Sequence, residues 1–443
     1  MDAASLGALA LVGAEWCAIG RLSGVAWPGE TVRIARWSLY LLTGAFLVGL
    51  SQLLLSLVGL TFTHVAVGLT VAAALALAVR MVAKPPPRPG RKMRIGERER
   101  YGWAVLGLVL GAASLRSFTV PEAGWDAFSH WGLKALAYAM NGRVVDAGTV
   151  HEYYPPLVPL LEAWLLIHRG STSIDLAKTV WALVGSAFAV CLAWHLRTAL
   201  RRPWLAPFFA TAIVLGTTQL LEGFWTGQAD LALTAYLCLA TLAAWQWRGA
   251  PDRRWLVQAA LFGAAAGLTK YEGLPRVGVL VVAIVIVAVA ERCPLAGQRS
   301  LPGLTITAAA VAAYASWLVY RLTHAVAASS EHLAQFQPQA LGATLVALLA
   351  IFGGVRTGGG LVVAATSAAL AGPRLLRPRY RLLTLVVVLQ LAATILAFLV
   401  SDTPPDLQAR TSATRLFAHF MPLALFVTAL WLDEVPPIIR PGR

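Results

Sequence analysis

The sequence predicts an all-α polytopic membrane protein with about 13 transmembrane helices, and three observations lead there. Hydrophobic residues make up 58% of the 443 and charged residues only 13%, whereas a soluble globular domain carries about 25% charge. Mean hydropathy is +0.68, so there is too little polar surface to coat soluble domains. The apolar residues also gather in blocks of roughly 17–24, the length that crosses a ~30 Å hydrocarbon core at 1.5 Å rise per residue. A cytosolic enzyme, a disordered chain and a disulfide-rich secreted scaffold are excluded.

Taken in order, the apolar blocks lie at about 3–20, 37–59, 62–83, 101–119, 176–196, 204–221, 230–247, 255–269, 274–290, 302–322, 358–373, 382–401 and 415–432. Met1-Asp2 precedes the first block without a basic segment, so that block reads as a span rather than a cleavable leader. The segment 84–100, KPPPRPGRKMRIGERER, carries seven basic and two acidic residues and cannot start as a helix. Cytoplasmic loops accumulate Lys and Arg, which places it in the cytoplasm. Alternation from that anchor puts Arg21/Arg33/Arg36, Arg197/Arg201/Arg202, Arg248/Arg253/Arg254, Arg292/Arg299 and Arg374/Arg377/Arg379/Arg381 on the same side. It requires two apolar stretches not to cross. The first, about 156–168, is interrupted by Glu162 and reads as an amphipathic helix on the outer surface. The second, about 339–355, decides the orientation of everything after it. The N-terminus is then outside and the C-terminus inside.

The net charge of +15 is accounted for by this loop bias, without nucleic acid as a partner. Cys17, Cys191, Cys238 and Cys293 match neither a zinc spacing nor a disulfide framework, and read as small apolar fillers.

The outer face collects polar features that a plain bundle does not need. The loop at about 120–155 holds Asp126, His130, Lys134, Asp146, His151 and Glu152, with Trp131 and Tyr154 among five Trp or Tyr residues. Carboxylates accept hydrogen bonds from hydroxyls, and aromatic faces cover the C–H face of a sugar ring. An interfacial aromatic belt is the plainer reading. EGFWTGQAD places Glu222, Trp225 and Asp230 at the start of a helix, and GLTKYEGLP places Lys270 and Glu272 at a helix end. SDTPPDLQARTSATRLF supplies Arg410 and Arg415, the latter expected at the start of the last apolar helix, where the dipole disfavours a cation unless an anion binds. A guanidinium and an ammonium on one face suit a phosphate ester whose tail stays in the bilayer, although snorkelling to lipid phosphates also explains Arg415.

This ordered set (GWDAFSHW, then YYPPLVPLLEAW, GQADLALTAY and GLTKYEG) resembles the GT-C superfamily of membrane glycosyltransferases, in particular its protein O-mannosyltransferase-like and aminoarabinose-transferase-like branches. The resemblance covers roughly residues 101–322, with a weaker echo in the late Arg. It implies a polyprenyl-phosphate sugar donor used on the periplasmic side of a bacterial inner membrane, and a first outer loop with two surface-lying helices. It implies Asp126 as the acceptor's general base, Asp230 as a second polar anchor, and Lys270 and Arg415 at the donor phosphate. Mannosyltransferases of this kind carry Asp-Glu where this chain has Asp126-Ala127, which counts against a protein-mannosylating activity. The organisation expected is three leading helices (1–83), the linker (84–100), a catalytic core (101–322) with loop 120–170, and C-terminal helices (323–443) with outer loop 402–414.

Sugar transfer of this kind needs a stabilised leaving phosphate, a deprotonated acceptor hydroxyl and exclusion of water. Lys270 and Arg415 serve the first and Asp126 the second, with His130, Trp131, His151, Glu152, Tyr154, Trp225 and Asp230 left to hold acceptor or sugar. The acceptor is a glycan, lipid or protein hydroxyl, and inversion at the anomeric carbon is expected. No resident cofactor is required. Asp126 and His130 at i, i+4, with His151 and Glu152, offer mixed ligands for a divalent ion, which some GT-C members use and others do not. Glu15, within the first apolar block, is an intramembrane carboxylate that either acts or packs. The rival function is a transporter or flippase of a lipid-linked saccharide, which predicts inverted repeats and charges near the bilayer midplane.

Overall fold

The computed structural model describes residues 1–28, 31–69, 71–72, 95–122, 124–149, 151–291, 301–324, 326, 337, 340–352, 355–400 and 404–435. Most of the basic linker 84–100, together with Arg292, Cys293 and Arg299, lies outside them. The described residues are helical throughout, with no strand. Among the described residues nine helices are long and apolar enough to cross a membrane, and two bent pairs raise the number to 11 if each pair is one span. The molecule is an α-helical, membrane-embedded protein.

The chain opens with α1 (Ala3–Leu22) and α2 (Arg33–Leu57), an antiparallel pair joined at small residues. A Cβ added to Gly20 would strike the backbone of Tyr40, and one on Gly44 that of Trp16. Such close approach is how helices associate in lipid, where burial of apolar surface drives little. The next apolar block, 62–83, is described as helix only at 64–69 and 71–72. After the linker come α3 (Glu97–Thr119), a π-helical turn at Ala127–Gly132, α4 (Leu133–Asn141) and α5 (Leu157–Arg169).

Two short helices therefore do follow α3, but α5 is not a surface-lying amphipathic one. All ten residues from Leu157 to Leu166 are buried. Its sequence is apolar all round, and Glu162 does not break it because the Trp181 indole donates to that carboxylate at 2.7 Å. At 13 residues it is about 20 Å long, too short to cross.

One turn at Ile174–Ala177 leads into α6 (Val180–Ala199), then α7 (Ala206–Gly216), α8 (Thr218–Thr226), α9 (Ala229–Gly249), α10 (Arg253–Thr269), α11 (Gly273–Ala290) and α12 (Leu301–Thr323). The block read as one span at 204–221 is broken: α7 and α8 meet at 76° about Thr217. The stretch at 339–355 forms α13 (Leu341–Phe352), 12 residues and too short to cross. The chain ends with α14 (Val355–Ala371), α15 (Pro378–Leu399), α16 (Pro405–Ala418) and α17 (Met421–Glu434). The final block is also broken, by 50° between α16 and α17, with Pro422 opening the second half.

Helix α9 is the axis of the molecule, buried on every side from Ala229 to Ala244. At its Gly249 end, ion pairs link helices that are distant in sequence: Arg197–Glu99 at 2.5 Å, Arg202–Asp433 at 2.8 Å, Arg248–Glu291 at 2.5 Å and Arg379–Glu434 at 2.6 Å. Arg197, Arg202, Arg248 and Arg379, from three of the clusters assigned to one side, thus share one end of the bundle. The opposite end holds the site.

Candidate functional site

The N-terminal turn of α9 presents Asp230, the end of α10 presents Lys270, and the last turn of α16 presents Arg415. The π-helical turn begins at Asp126. Four residues spread over nearly 300 positions meet in one network. Arg415 bridges the two carboxylates, with Nη1 at 2.5 Å from Asp126 Oδ2 and Nε donating to Asp230 Oδ2 at 3.1 Å. Lys270 Nζ donates to Asp230 Oδ1 at 3.2 Å and lies 3.4 Å from Glu272 Oε1. His419, at the break between α16 and α17, places Nε2 at 2.9 Å from Asp230 Oδ1.

Exposure is graded across this network. Asp230, Lys270 and His419 side chains are at most 4% exposed, whereas Asp126 and Arg415 stand at 24% and 22%. The Asp126–Arg415 pair is the accessible rim of a buried hub.

Two expectations change here. Arg415 was placed at the start of a helix, against the dipole; it occupies the last turn of α16, where a cation is favoured. The break at His419–Phe420 ends that helix earlier than the apolar pattern suggests. Asp230 is not an open anchor either, because both of its oxygens are taken by Lys270, His419 and Arg415.

Beside the network stands an aromatic group. The Tyr154 ring stacks on His151 (4.9 Å, 10°), on Trp131 (5.5 Å, 30°) and on Tyr271 (6.2 Å, 16°). Tyr271 belongs to the Lys270–Glu272 turn, so one short segment contributes to both the charges and the rings. His130 faces His151 edge-on at 5.2 Å, and its Nδ1 meets Ser129 Oγ at 2.9 Å. Burial holds the His130 imidazole down to about 3, so it is a neutral hydrogen-bonding ring near pH 7. Burial pushes the Tyr154 phenol up, leaving it a donor rather than a base. His151 has φ 64, the one non-glycine residue with positive φ among the described residues. The Lys134 ammonium holds it there by donating to its carbonyl at 2.6 Å. Burial, partly opposed by Glu152, brings Lys134 down to about 8.

Glu152 touches this group only through Lys134, whose Nζ lies 3.9 Å from its Oε2, and Trp225 stands apart from it. Glu152 Oε1 accepts from Thr149 N at 2.8 Å and caps the turn. Trp225 lies under the Arg116 guanidinium at 4.2 Å, tying α8 to α3. Among the described residues, the ligand atoms of Asp126, His130, His151 and Glu152 are not gathered within metal-binding distance of one another.

The sequence reading missed His419 and Arg276. Arg276, 5% exposed in the first turn of α11, donates to Gln390 Oε1 at 2.9 Å, Thr394 Oγ1 at 3.1 Å and the Leu416 carbonyl at 3.1 Å. It pins α16 beside Arg415. Both residues are ionisable groups inside apolar stretches, a signal present in the sequence.

A cavity of about 350 Å³ lies against Thr217, Gln219, Glu222, Thr414, Phe417 and Met421. Through Leu361 it borders a second of about 260 Å³ between α14, α15 and α17, lined by Ala368, Val388, Leu391, Phe420 and Val427. Thr414 and Phe417 thus bring the first cavity to the helix that carries Arg415, and the second is almost wholly apolar.

No protein-family model matches the chain, and no curated protein matches it significantly.

Proposed function

We propose that the chain is a GT-C-like glycosyltransferase that moves a sugar from a polyprenyl-phosphate donor to an acceptor hydroxyl on the outer face of a bacterial inner membrane. The supporting observation is the partly exposed Asp126–Arg415 pair set on a buried carboxylate–cation hub, with stacked rings beside it and cavities along the helix that carries Arg415. In this reading the bundle has about 13 spans, the N-terminus outside, and residues 101–322 as its catalytic core.

The chemistry follows from charge. The acceptor oxygen attacks the anomeric carbon, its proton passes to Asp126, and the bond from that carbon to the phosphate oxygen breaks with its electrons. The phosphate gains one negative charge while Asp126 loses one, so the charge of the site is conserved through the step. Protonated Asp126 also loosens its hold on Arg415 at the moment when the leaving group needs that guanidinium. Lys270 and Arg415 stay in place because Asp230 holds both. Tyr271, 37% exposed, presents its ring to the sugar with Tyr154 and the buried Trp131 stacked behind it, and the apolar cavity receives the first isoprene units.

The test is transfer of label from radiolabelled polyprenyl-phosphate sugars to a membrane extract. Asp126→Asn, checked for monodispersity, is expected to lower turnover by about 10²–10⁴-fold. Equal transfer by the variant removes Asp126 as base. A product with retained configuration rejects direct displacement.

The broken helices favour a second reading. A helix interrupted beside a charged site is also how transporters hold anionic substrates at half-helix ends, and the α16–α17 break lies between Arg415 and Pro422. Movement of a lipid-linked saccharide across liposomes, with no transfer from any donor, selects the transporter.

A further inference from the structure

Glu15, His64 and His168 come from α1, the segment just after α2, and the end of α5, and none belongs to the site described above. Their ligand atoms (a carboxylate oxygen and one nitrogen of each imidazole) all lie within 4.8 Å of one another. His168 Nε2 is 3.0 Å from Glu15 Oε2. The His64 and His168 rings meet edge-to-face at 4.4 Å and 84°.

The local hydrogen bonds define what these atoms offer. His168 Nδ1 lies 2.8 Å from the Trp164 carbonyl, which only accepts, so Nδ1 carries the hydrogen. In the neutral ring the Nε2 lone pair then faces inward. That side chain is 2% exposed, and Nε2 meets no well-directed hydrogen-bond partner. The Trp164 indole donates to Glu15 Oε2 at 2.9 Å. One residue, Trp164, therefore orients both groups, by its carbonyl and by its ring. A ligating histidine that donates its other N–H to a backbone carbonyl, beside a carboxylate that is itself hydrogen-bonded, is the outer-shell arrangement that metal sites use.

We propose that Glu15, His64 and His168 bind a divalent first-row metal ion, zinc by the chemistry of the set. Two imidazoles and one carboxylate are the mixed N/O ligands of three-ligand zinc sites that leave a fourth position open. His64 is exposed, so the ion enters from the surface. Bound there, it clamps α1 to α5 and to the chain leaving α2.

The test is metal stoichiometry in the full chain, stripped with chelator in detergent, reloaded with zinc and passed through gel filtration. Wild type is expected to retain one zinc per chain and to melt at a higher temperature with zinc than without. Glu15→Gln keeps an oxygen for the Trp164 indole, and His64→Ala alters an exposed side chain, so both are suited to folding. Loss of an outer-shell partner alone costs about 10–100-fold in affinity, so each variant is expected to bind zinc at least tenfold more weakly. Cobalt loaded in place of zinc is expected to give a visible ligand-field spectrum in wild type that both variants lack. Wild type that elutes without stoichiometric metal overturns the proposal and leaves an ion pair. Unchanged affinity and spectrum in the Glu15→Gln, His64→Ala double variant overturn it equally.

Discussion

Asp230 sits in the first turn of α9, where the helix dipole favours an anion, and both of its oxygens meet charged or polar neighbours. A buried carboxylate so placed fixes its partners more than it recognises a ligand, and the same logic applies to Glu162. That carboxyl is 2% exposed with one indole donor, and burial pushes it up to about 8 from 4.5. Between those values the folded protein holds a proton that the unfolded chain has released, so stability falls as pH rises through the window. Glu162→Gln removes that dependence. Its melting temperature is expected to exceed that of wild type by a margin that grows from pH 5 to pH 8, and a margin constant with pH would show that Glu162 is ionised in the fold. Asp126, Asp230, Lys270 and Arg415 were legible in the sequence because each is a charge at the edge of an apolar block. That they share hydrogen bonds was not, since no spacing relates position 126 to 415. Arg276 and His419 went unread because their meaning lies in partners more than 100 positions away.

At the scale of elements, apolar blocks located most helices to within a few residues, while both bends escaped. Hydropathy counts apolar residues and is blind to direction, so 204–221 and 415–432 each read as one span. The second bend carries the site, and Arg276 holds it. Its guanidinium crosses from α11 to Gln390 and Thr394 of α15 and to the Leu416 carbonyl one residue beyond Arg415. Arg276→Leu fills the space but leaves two of these acceptors buried without a donor, at about 1–3 kcal/mol each. A lowered melting temperature is expected, together with weaker donor binding at an unchanged Arg415. A variant with wild-type stability would mean that water or a rearranged side chain replaces the clamp. Glu162 misled for a related reason: a carboxylate was taken as the polar face of α5, whereas the Trp181 indole lets it lie inside.

For the whole molecule, α9 sets the geometry. Its 21 residues span about 30 Å, the thickness of a hydrocarbon core. Asp230 and its charge network stand at one end, and Arg248 with the interhelical ion pairs at the other. In the proposed orientation that second end, with its excess of Arg, faces the cytoplasm, since basic residues orient membrane proteins through their cytoplasmic loops. Asn141 and Ala250 are exposed and belong to opposite ends. In a chain with its four cysteines replaced, Asn141→Cys is expected to react with a membrane-impermeant maleimide in intact cells. Ala250→Cys is expected to react only after permeabilisation. The reverse pattern would turn the bundle over and bring the network to the cytoplasm, where soluble nucleotide sugars are at hand and a lipid-linked donor has no advantage. Labelling of both in intact cells would separate the two ends from the two sides of the membrane, and α9 would then lie along the bilayer rather than through it. The expected pattern leaves the Asp126–Arg415 rim outside, where sugar has to arrive already attached to a lipid that has crossed, which is the donor that the proposed function requires.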